Sequence, residues 1–93
     1  MADFMMVMKG SGNRQDWAPY IERMIATGKF RGGSGLGNGV VVSKRDDRSD
    51  QACVVTGFMR FEAETIGEVR ELVQGNPVYD AGGEVEVLEL IVE

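Results

Sequence analysis

Two amphipathic stripes, each set between strand-like runs, limit most sharply what this chain can fold into. Trp17, Tyr20, Ile21, Met24 and Ile25 recur at helical spacing, and so do Ile66, Val69, Leu72 and Val73. Before the first stripe, residues 4–8 form a short apolar run, a length that suits a strand. Residues 52–63 and 84–92 read as further strands. With a strand predicted inside residues 30–42, the order is β-α-β-β-α-β. That order predicts an α+β, ferredoxin-like domain: an antiparallel four-stranded sheet with two helices on one face.

The helix boundaries carry their own signals. The first helix is expected over residues 16–27, with Asp16 as N-cap, Pro19 in the first turn and Gly28 as the stop. Thr65-Ile66-Gly67-Glu68 matches a capping box, in which Thr and Glu satisfy two otherwise orphaned N–H groups. Gly75 ends the second helix and Pro77 blocks its continuation. Residues 79–83, YDAGG, read as a turn. Residues 43–51, SKRDDRSDQ, contain no apolar side chain and read as an exposed loop.

Two helices cover one side of a sheet, yet the outer strands are apolar on both sides. In the first, Phe4, Met6 and Met8 oppose Met5 and Val7. In the last, Val85 and Val87 oppose Leu88, Leu90 and Val92. A second copy of the chain is the simplest cover for the bare face. Length points the same way. A single domain over residues 1–93 buries only ~60–65% of its unfolded surface, so its stability is marginal. With one cysteine, Cys53, no internal disulfide forms, and with no histidine no zinc site is expected. A homodimer is therefore expected, with no cofactor.

The net charge of −5 disfavours nucleic acid and anionic membranes as partners. The apolar run near the start is too short for a membrane span and lacks a preceding basic segment, so a cytoplasmic protein with a reduced thiol is expected. Cys53, among Ala52, Val54 and Val55, reads as a buried structural cysteine.

Glycines 32, 33, 35, 37 and 39 suggest a phosphate loop but fail its spacing. Starting from Gly33 and Gly35, G-x-G-x-x-G requires glycine where Asn38 stands. Starting from Gly35 and Gly37 it requires glycine where Val40 stands. No Gly-Lys-Ser/Thr occurs, and Val40-Val41-Val42 follows, a β-run. The stretch reads as a strand or hairpin with bulges or tight bends. Close approach of this backbone to a ligand is the functional alternative.

Arg60 and Glu62 are the first site candidates, two apart on the sheet face the helices leave bare. In a dimer they are either a structural ion pair or the polar end of a pocket between the sheets. Phe58 and Trp17 are candidate wall residues, and Asp80, beside Tyr79, is a rim candidate that turn chemistry explains equally well.

FMMVMKG, DWAPYIERMIATGKFRGGSGL and GFMRFEAETIGEVRELVQGNPVYDAGGEVEVLEL together resemble the YCII-related family, nearer its DGPF branch. Trp17, Tyr20, Gly28, Lys29, Gly33, Gly57, Phe58, Glu62, Ala63, Gly75, Pro77, Gly82, Gly83, Val85, Glu86 and Val87 stand at its motif positions. The resemblance covers nearly the whole chain and implies a dimeric α/β barrel. Some members carry a His–Asp pair suggestive of catalysis. Here Trp17 falls about where that His stands, which rules out histidine acid–base chemistry. The Asp-Gly-Pro-Phe motif is also missing; Asp46-Asp47-Arg48-Ser49-Asp50 lies in its region.

Three functions are compatible with this reading. The first is a homodimeric binding or accessory domain with a small-molecule pocket between the sheets. The second is an enzyme using Glu62 or Asp80 as acid–base and Arg60 as electrostatic stabiliser. The third is a transcription-associated protein-interaction module that does not touch DNA, since members of the DGPF branch are associated with sigma-factor regulation.

Overall fold

The computed structural model describes residues 1–45, 47 and 54–91. Strand β1 (Ala2–Lys9) leads through a short 3-10 turn (Arg14–Asp16) into helix α1 (Trp17–Ala26). Strands β2 (Phe30–Gly35) and β3 (Val55–Ala63) follow. Helix α2 (Ile66–Glu71), the short helix α3 (Pro77–Asp80) and strand β4 (Glu84–Glu89) complete the order. The sheet runs β2-β3-β1-β4, with every neighbouring pair antiparallel. This is the expected α+β, ferredoxin-like arrangement.

The strand periodicity sorts the side chains as the pattern requires. Phe4, Met6 and Met8 of β1 and Met59, Phe61 and Ala63 of β3 are buried together on one face. Cross-strand register pairs Phe4 with Phe61 and Met6 with Met59. Tyr20 and Met24 of α1 and Val69 of α2 close this core. Ile25 and Ile66, at the margins of their stripes, are 60% and 50% exposed, so each helix buries a narrower face than its periodicity suggests.

Tyr20 joins the two helices. Its hydroxyl donates to the Leu72 carbonyl at 2.7 Å, satisfying a C-terminal orphan of α2. Arg23 lies over the Tyr20 ring at 5.4 Å and donates to the Gln74 carbonyl at 2.6 Å. Gly75 turns the chain at φ +84°, and any Cβ there would collide with the Arg23 guanidinium. The positive φ favours glycine at that position, whereas the flexible Arg23 side chain could move aside.

The capping box forms as expected. The Glu68 N–H donates to Thr65 Oγ1 at 3.3 Å, and Glu68 Oε2 accepts from the Thr65 N–H at 3.0 Å. Three local expectations give way. Asp16 makes no side-chain cap; its N–H instead donates to the Asn13 carbonyl, and the 3-10 turn leads the chain into α1. Pro77 does more than block α2. It opens α3 at the first helical position, where its missing N–H costs nothing, so the expected turn is in part helical. The cap is Asn76, fully buried, whose Oδ1 accepts from the Val78 and Tyr79 amides at 2.9 and 3.3 Å. The valine run adds no strand, only an isolated bridge at Val40, and Val42 is 86% exposed. Cys53 and most of the acidic run lie outside the described residues.

Candidate functional site

The two faces of the sheet differ in kind. On the helix-covered face, a cleft of about 610 Å³ opens between the start of α1 and the β2–β3 end of the sheet. Helix α1 contributes Trp17 and Ile21, β2 contributes Phe30 and the strand through Gly35, and Met59 and Val78 come from β3 and α3. Trp17 stands edge-on to Tyr20, with ring centroids 6.1 Å apart, so buried Tyr20 sets its orientation. Phe30 packs against buried Phe61 at 5.5 Å.

The glycine strand shapes the cleft. The register between β2 and β3 slips between Phe30 and Gly33, a bulge that Gly32 enters at φ +100°. Beyond it, a Cβ on Gly33 would collide with the Phe58 carbonyl, so the backbones touch directly. Part of the cleft wall is therefore bare main chain.

Among the described residues, no Asp, Glu, Lys, Arg, Tyr or Cys lines the cleft, and the chain has no histidine. Two of the lining hydroxyls, those of Thr56 and Ser34, already donate to main chain, and a third belongs to Ser11. Thr56 Oγ1 donates to the Gly10 carbonyl at 2.7 Å and Ser34 Oγ to the Gly35 carbonyl at 2.7 Å. The cleft thus offers aromatic rings, thioethers and main-chain dipoles, and no formal charge from its lining. It suits an uncharged, flat guest rather than an anion.

The opposite face of the sheet is open. Met5, Val7, Phe58 and Leu88 lie there by strand alternation, with Met5 opposite both Arg60 and Leu88. Glu62 is held by Arg31 at 3.7 Å and Glu86 by Lys9 at 3.3 Å; these pairs are exposed and worth at most ~1 kcal/mol each. Arg60 is exposed and makes no ion pair among the described residues.

The residues singled out from sequence therefore fall in three places. Arg60, Glu62 and the Phe58 ring share the open face. Trp17 lines the cleft, which Phe58 also borders from β3. Asp80 is exposed on α3 and does not line the cleft. Phe30, Ile21 and Met59 were not among the residues singled out from sequence. The signals toward the cleft were Trp17 and Phe58, read as wall residues, and the glycine strand, where absent side chains let main chain reach a guest.

Among the described residues, no helix is long and apolar enough to cross a membrane. No family model matches the chain, and no curated protein matches it. Four chains of known structure do. One is 5-chloro-2-hydroxyhydroquinone dehydrochlorinase (TftG) from Burkholderia phenoliruptrix AC1100, in complex with 2,5-dihydroxybenzoquinone. The match covers 98% of this chain and 95% of that one, with a TM-score of 0.61 and 18% identity. At that identity the likeness is one of fold, and the fold it supports is the α+β, ferredoxin-like one.

Proposed function

We propose that this chain is a small-molecule-binding protein of the YCII-related kind, which takes an uncharged, flat, largely apolar ring into the cleft under α1. One observation carries the reading: a cleft of about 610 Å³ walled by Trp17, Phe30 and bare glycine backbone, with no titratable side chain among its described lining residues. That lining has no group to serve as acid–base catalyst, which favours binding over catalysis there. The structural likeness to a protein solved with a quinone agrees with a ring-shaped guest.

The open face is the proposed homodimer seam. Its apolar patch, Met5, Val7, Phe58 and Leu88, supports that reading. In such a dimer Arg60 and Glu62 lie between the sheets as polar contacts.

Trp17 is the one tryptophan, so its emission reports on the cleft directly. Titration with hydroquinone, an uncharged ring, is expected to shift or quench that emission saturably. The acidic 2,5-dihydroxybenzoquinone is expected to bind more weakly, because the lining supplies no cation. Absence of saturable binding by calorimetry to any of a panel of neutral single-ring phenols would overturn the proposal.

A further inference from the structure

One stretch of the cleft lining lies outside the strands and helices. Residues 10–12, Gly-Ser-Gly, carry the chain from β1 toward α1, and all three line the cleft. The two glycines hold this turn in place. Gly10 turns at φ +120°, where a Cβ would press on the Gly83 backbone, and its carbonyl accepts from Thr56 Oγ1 at 2.7 Å. Gly12 lies flat against α3, where a Cβ would collide with the backbone of Pro77 and Val78. Ser11 is therefore held between two close backbone contacts, while Ser11 itself is exposed.

Its hydroxyl differs from the other two in the lining. Thr56 donates to the Gly10 carbonyl and Ser34 to the Gly35 carbonyl, so both of those hydrogens are engaged within the chain. Ser11 Oγ makes no hydrogen bond among the described residues. It keeps a donor hydrogen for a guest. The indole N–H of Trp17 is a second such donor, on a ring that already serves as wall.

We infer that Ser11 sets the chemical class of the guest: a flat, neutral ring with an acceptor oxygen at its edge, such as a ring ketone or aldehyde, whose oxygen accepts from Ser11 Oγ–H. This rests on the cleft reading above and narrows it. A carbonyl oxygen accepts and does not donate. It therefore matches a hydroxyl whose hydrogen is free and gains nothing from Thr56 or Ser34, whose hydrogens are engaged. Burial of the ring supplies most of the affinity, and one placed polar group decides which way the ring lies. Because its flanking glycines already hold the turn, little further ordering accompanies binding.

Calorimetry with acetophenone and α-methylstyrene tests this. The two have the same shape, with the carbonyl oxygen of one replaced by a methylene in the other, and neither is charged. Ser11 is exposed, so Ser11→Ala leaves the core and the cleft walls in place. The substitution is expected to weaken acetophenone about fivefold and to leave α-methylstyrene within about twofold of wild type. If both rings weaken equally, if neither changes, or if the wild type binds only α-methylstyrene, the Ser11 contact is overturned while a ring-binding cleft stands. If the wild type binds neither of these rings nor any neutral phenol, the cleft reading falls with it.

Discussion

The two faces of this sheet are built from the alternation of the same four strands, yet they differ in what they carry. The helix-covered face is continuous and dry around Phe4, Met6 and Phe61, and opens only at the cleft beside Trp17. The other face holds a small apolar patch, Met5, Val7, Phe58 and Leu88, inside a border of exposed charges. Alternation explains why both exist: every second residue must leave the core, and in β1 the residues that leave include Met5 and Val7. The proposed homodimer would cover that patch.

The sharpest break in that comparison comes from two phenylalanines of β3. Phe61, fully buried, faces the helices, while Phe58 faces the open side. Phe61→Ala is expected to cost about 3–5 kcal/mol by urea denaturation, near the whole stability of a domain this small. Phe58→Ala is expected to leave single-chain stability within about 1 kcal/mol and to act on self-association instead. Equal losses from the two would mean that the faces are not distinct.

A second prediction concerns pH and the covered face alone. Burial of Tyr20 pushes its hydroxyl above the ordinary 10.0; a nearby Asn76 and Arg23 oppose this, and Asp80 adds to it. The unfolded chain therefore loses this proton first. Tyr20 contributes its full share of stability below pH 10.0, and that share is lost as pH rises from there through the raised value. Tyr20→Phe is expected to flatten the alkaline fall in thermal midpoint. It also gives up the bond to the Leu72 carbonyl, at about 1 kcal/mol near neutral pH. A variant as alkali-sensitive as wild type would place the effect elsewhere.

The smallest effect belongs to the open face. Glu62→Gln removes one end of the exposed Arg31–Glu62 pair and is expected to change stability by less than about 1 kcal/mol. If hydroquinone binding also stays unchanged, the cleft and the open face are separate sites. A strong loss of binding would instead carry the ligand to the space between the sheets, where sequence reading first set it.

The fold was legible in the residues because its signals are local. Tyr20 and Met24 at helical spacing, the Thr65–Glu68 box, and Phe4-Met6-Met8 in alternation each declare an element from a few neighbours. The site was less legible. Phe30 and Ile21 look like any core residues, and only the meeting of α1 with a glycine strand, distant from Met59 and Val78 in sequence, makes them a wall. Likewise Arg60 and Glu62 draw notice as a charged pair two apart, but Arg31, reached through the bulge at Gly32, takes Glu62 and leaves Arg60 alone.

The sequence by itself determined the order of elements, the buried stripe of each helix and the absence of histidine chemistry, since composition and short-range periodicity suffice for these. Tertiary structure alone decided that Asn76 caps a helix opened by Pro77, that the valine run forms a single bridge at Val40 rather than a strand, and that the glycine strand borders a cleft with no charged side chain among its described lining residues. The physical reason is range. Spacing reports which side of an element a residue faces, whereas a cavity or an unsatisfied edge exists only where distant elements meet, or fail to.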